Sequence, residues 1–157
     1  WRIKMTGNSP IPLIDKLVKE KNFVLLTWHD RYSCGGAWAC CLPYLSQCEV
    51  VYESSEDGDT LMIPKTEYLL NTSWLPIVTG SSATDALQKL ETCLATLPTD
   101  FLADDNWAYA TDEAINYLSR TAKKYEHDEG GIDGRLKPLP IDYKEIKFPQ
   151  GLLDENV

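Results

Sequence analysis

The stretch FVLLTWHDRYSCGGAWACCLPYL, residues 23–45, decides how the rest of the chain is read. Phe23 to Trp28 is continuous and apolar, too short for a good helix, and reads as a buried strand. A polar loop follows. Cys34-Gly35-Gly36-Ala37 then leads into an apolar segment, Ala37 to Leu45, expected to be helical until Pro43 kinks or ends it. A cysteine on a strand-to-helix loop sits where the positive end of the helix dipole lowers a thiol's pKa. Cys34 is therefore the candidate nucleophile, the competing reading being a buried structural cysteine. His29 and Asp30 lie just before it. A Cys–His pair can activate a thiol, while the plainer reading is that His29-Asp30 begins a polar loop.

Working outward, Pro12 to Lys21 (PLIDKLVKEK) is a short amphipathic helix with Leu13, Leu17 and Val18 on one face. Downstream, Cys48 to Glu53 reads as a second strand, and Asp57-Gly58 marks a turn. Leu61 to Leu70 reads as a third strand with Pro64 near its start. Trp74 to Thr79 reads as a fourth, with Pro76 suggesting an edge. The period then changes. Ala83, Leu87, Leu90, Leu94 and Leu97 recur at helical spacing, with Ser82 and Asp85 as a cap and Pro98 as a stop. A long helix follows from Asp105 to Tyr125, its stripe formed by Trp107, Ala110, Ala114, Leu118, Ala122 and Tyr125. From Ile132 onward prolines at 138, 140 and 149 impose extended shapes, yet large apolar residues persist. The expectation is one α+β domain over residues 1–131, a small mixed sheet flanked by helices, with an extended tail over 132–157. That tail should be ordered by contact, with Tyr143, Ile146 and Phe148 as anchors on the domain or on a protein partner.

This element order resembles the thioredoxin-like superfamily over residues 12–97, with the helix from Asp105 to Tyr125 added. Cys34-Gly35-Gly36-Ala37 is similar to the family's CGPC motif, keeping the first cysteine and replacing the second by Ala37. Ile63-Pro64 with Thr66 is similar to the Ile–cis-Pro–Thr element that packs beside the active-site cysteine. The resemblance implies a thioredoxin-like α/β sandwich. It also implies that Ala37 removes the resolving thiol, leaving Cys34 a monothiol role or none.

Composition narrows the function classes. The 157 residues carry a formal charge of −9 and an isoelectric point near 4.6. Nucleic acid is not expected as a ligand, because a phosphate backbone wants clustered Lys and Arg. The acidic surface serves solubility or docks a basic partner. No window approaches the roughly 18 apolar residues of a membrane span, and no segment has the order of a signal peptide. Five cysteines, an odd count, favour a reducing intracellular compartment. The sequon Asn71-Thr72-Ser73 points the other way. His29, Cys34, Cys40, Cys41 and Cys48 lack the paired C-x-x-C spacing of a zinc site, and Glu53, Glu56, Asp57 and Asp59 lack the EF-hand ligand order. No cofactor or metal is expected. Two functions follow: a non-catalytic protein-interaction module, such as a complex subunit or an inhibitory protein, and a monothiol thiol-disulfide oxidoreductase using Cys34.

Overall fold

The computed structural model describes residues 8–32, 35–99, 101–103, 105–129 and 131–146. Cys34 and Phe148, singled out above, lie outside them.

Phe23 onward does form a strand: β1 spans Val24–His29. The segment after the cysteine loop is a strand as well, β2 (Ala37–Leu42), not a helix. Every residue of β2 is buried, because the strand has packed layers on both faces. Such a strand shows no alternation, and the run AWACCL therefore looks like a short buried helix. β3 (Ile77–Gly80) completes a sheet of order β1-β2-β3. Both pairings are antiparallel, with Trp28 opposite Trp38 and Trp38 opposite Thr79, so the sheet is antiparallel rather than mixed. The fourth expected strand is confined to this short piece. Trp74 and Leu75 are buried in the turn before it.

Two other expected strands are helices. CEVVYE lies within α2 (Leu45–Ser55), whose buried positions are Gln47, Cys48, Val51, Ser54 and Ser55. These follow helical spacing, but four of the five are small or polar, which hides the period from a hydrophobicity reading. Tyr44 N–H donates to Gln47 Oε1 at 3.2 Å, closing the first turn. Leu61–Leu70 belongs to α3 (Asp59–Leu70), which carries Pro64 inside it and loses one intrahelical hydrogen bond there. The two local features behind the thioredoxin-like resemblance are thus placed differently: the cysteine loop joins strand to strand, and Pro64 sits in a helix.

The remaining helices form where the sequence pattern places them, although the first buries Ile14 and Leu17 and leaves the expected Leu13 and Val18 exposed. α1 spans Pro12–Lys21, α4 spans Ala83–Ala95 and α5 spans Asp105–Lys124. Ser82 caps α4 by accepting from Asp85 N–H at 3.1 Å. α4 packs on β2 and β3 and also meets α1. Small residues permit that approach: Ala37 and Ala39 alternate along one face of β2. At Gly80 a Cβ would lie 2.4 Å from the Ala86 nitrogen. The other face of the sheet, carrying Leu26, Trp28, Trp38 and Cys40, meets α2. Behind α2 and α3 lies α5, tied by Tyr68 Oη donating to Ala114 O at 2.8 Å. Trp107, Ala110, Ala114 and Leu118 are buried as expected, while Leu87 of α4 is only partly buried beside Leu90 and Leu94.

The described part of the tail packs on the domain. Ile132, Tyr143 and Ile146 are buried. The Tyr143 ring meets Trp74 edge-on at 6.1 Å, and Trp74 Nε1 donates to Pro140 O at 2.9 Å.

Candidate functional site

The β1–β2 register sets Trp28 directly opposite Trp38, and the two rings stack at 6.0 Å with 2° between planes. Tyr52 of α2 meets Trp28 edge-on at 5.5 Å. Trp28 Nε1 donates to Ser55 Oγ at 2.9 Å, which fixes the indole beneath α2. One side of α2 is open. Tyr44 is 64% exposed, Leu45 52% and Tyr52 42%. Glu49 and Glu53 are exposed among them. Residues 32–64 hold five acids and no Lys or Arg. Two basic residues from outside that run neutralise part of it: Arg31 pairs with Glu56 at 3.2 Å, and Lys65 pairs with Asp57. The surface left over is aromatic and anionic. Sequence reasoning missed it because residues 48–53 read as a strand. The signal that was available is the run of 33 residues without a basic side chain.

The thiols form a separate group. Cys40 of β2 faces α2 and is hydrogen-bonded to Cys48, whose Sγ lies 3.7 Å from Val24 O. That bond and burial push the Cys40 thiol well up, and the same bond holds Cys48 lower. Cys41 points to the opposite face, where burial raises it to about 12. Cys93 is raised to about 11 by burial. Cys40, Cys41 and Cys48 are fully buried, which makes them core side chains rather than reagents. Among the described residues no three His, Cys, Asp or Glu side chains gather into a metal-holding group.

His29 is exposed at the end of β1. Asp30 is buried, and its N–H donates to Gly36 O at 2.9 Å, closing the base of the cysteine loop. Beside that loop opens a cleft of about 320 Å³, lined in part by Asp30, Gly36, Trp38, Thr66, Thr79 and Lys89. Tyr143 and Ile146, taken from the sequence as contact anchors, are used within the chain. No helix among the described residues is long and apolar enough to cross a membrane. No known family's model, no curated protein and no solved structure matches this chain.

Proposed function

We propose that this chain is a non-catalytic protein-interaction domain that docks a basic partner through the outer side of α2. The observation that carries the reading is the exposure of Tyr44, Leu45 and Tyr52 among unneutralised acids. Exposed aromatics give a partner contact area at low entropic cost. The acids select for positive charge and speed the encounter. The buried thiols of Cys40 and Cys41, both raised by burial, support the same reading, since they offer no nucleophile.

A second reading is a monothiol oxidoreductase using Cys34. The cleft beside Gly36 favours it, because Gly36 is two residues from that cysteine. Insulin reduction with dithiothreitol as electron source separates the two. The interaction reading expects no rate above the uncatalysed control, and turnover that disappears in Cys34→Ser would overturn it. Docking itself is measured by tryptophan fluorescence against an eight-residue peptide of alternating arginine and valine. Saturable binding that weakens with added salt is expected, and no binding sinks the proposal.

A further inference from the structure

Among the described residues the first edge of the sheet carries no further strand, and its backbone groups can be assigned. Asp30 N–H bonds across to Gly36 O, whereas Cys41 N–H points the other way, to Pro76 O at 3.1 Å. Successive residues of an antiparallel strand direct their backbone groups to opposite sides. The register then bonds Val24, Leu26 and Trp28 to β2 and turns the N–H and C=O groups of Leu25, Thr27 and His29 outward. Among the described residues no strand pairs with them. Val24 to Trp28 contains none of the charges or prolines that usually blunt an edge.

α2 lies over the sheet face that carries Trp28 and Trp38, and it runs in the same direction as β1. Cys48 lies against Val24 near one end, and Ser55 against Trp28 near the other. Seven helical residues cover about 10 Å and four strand residues about 13 Å, so the two elements keep pace. Leu45, Glu49, Tyr52 and Glu56 recur at i, i+4, i+7 and i+11 and share one side of α2. Tyr52 of that row touches Trp28, and Glu56 touches Arg31 just beyond β1. The row therefore stands on the β1 side of the helix, as an anionic and aromatic wall above an edge strand.

We propose that β1 accepts an extended, basic segment of a partner protein as an added antiparallel or parallel strand. Main-chain bonds to Leu25, Thr27 and His29 supply the pairing. Alternate side chains of the incoming strand fall on the α2 side, where Arg or Lys meets Glu49 and the Tyr52 ring. A second copy of this chain fits poorly: antiparallel pairing of two β1 strands brings two α2 walls together, Glu49 facing like charge. This inference rests on the docking function proposed above and adds its mode.

The test uses the full chain and the arginine–valine peptide, with backbone amide exchange read residue by residue. Leu25, Thr27 and His29 should gain protection on binding. Methylating alternate peptide nitrogens, in either of the two registers, should weaken binding about tenfold or more in the register that pairs, as expected for losing several backbone hydrogen bonds. Glu49→Lys should weaken binding while leaving the thermal midpoint unchanged. Thr27→Pro removes an outward N–H and leaves the ladder to β2 intact, and it should also weaken binding. Binding that survives both methylated peptides, or that protects none of the three amides, overturns strand addition while leaving basic docking in place. A glutamate–valine peptide that binds equally well overturns the basic partner. Concentration-dependent dimers with the same three amides protected would show a second copy as occupant and overturn the proposal.

Discussion

Glu91 of α4 caps another helix. Leu13 N–H donates to its two carboxylate oxygens at 3.1 and 2.9 Å, and Ile14 N–H donates to Oε1 at 3.0 Å. α1 has Pro12 in its first turn and no side-chain cap from Ile11. Glu91 therefore satisfies two of the N–H groups that a helix start leaves open, and places negative charge at the positive end of the dipole. Glu91→Ala removes all of this. The site is only partly buried, so water replaces some of the loss, and the cost falls in the usual capping range of about 1–2 kcal/mol. At this chain length each kcal/mol lowers the melting midpoint by about 2–4 °C. Glu91→Gln keeps an acceptor oxygen and loses the charge, so it should cost less, about 0.3–1 kcal/mol. Urea titration followed by tryptophan fluorescence measures both, with an unchanged slope expected because the folded state stays equally compact. A loss for Glu91→Ala below about 0.3 kcal/mol would refute the capping argument. So would equal losses for the two variants.

Leu90 is fully buried where α4 meets the sheet, and Leu90→Ala should cost about 2–5 kcal/mol in the same titration, with less than about 0.5 counting against the layer arrangement. Asp85 accepts from Ser81 N–H at 2.8 Å and pairs with Lys89 at 3.1 Å, and these contacts hold its carboxyl below the usual range. A depressed folded pKa means stabilisation that is present above the unfolded value and is lost as pH falls through the folded one. The melting midpoint of Asp85→Asn should therefore fall less steeply than that of the parent below about pH 4, and identical acid limbs would remove the effect.

Elements with one buried face were legible in the sequence. α4 and α5 expose one side to water, so their apolar residues keep helical spacing, as at Leu90 and Leu94 or Trp107, Ala110, Ala114 and Leu118. β1 is legible as a strand because it is short, apolar and ended by the polar His29-Asp30, but it is a half-exposed edge strand rather than the buried one expected. The mixture of helices and strands followed from these.

What the sequence did not determine was decided by packing between layers. β2 is covered on both faces, so AWACCL carries no period, and only pairing with β1 and β3 makes it a strand. α2 buries Ser54, Ser55, Gln47 and Cys48. Ser55 and Cys48 sit against Trp28 and Val24, and Gln47 reaches Asp112 of α5, but these residues carry no hydrophobic signal of their own. The candidate site depends on both misread segments. Its wall is the exposed side of α2, and its open edge exists because β2 takes its second partner from β3. The acids and aromatics were visible in the chain from the start. Their gathering beside an edge strand is a property of the tertiary structure, because it joins residues of two elements whose spacing along the chain gives no sign that they are neighbours.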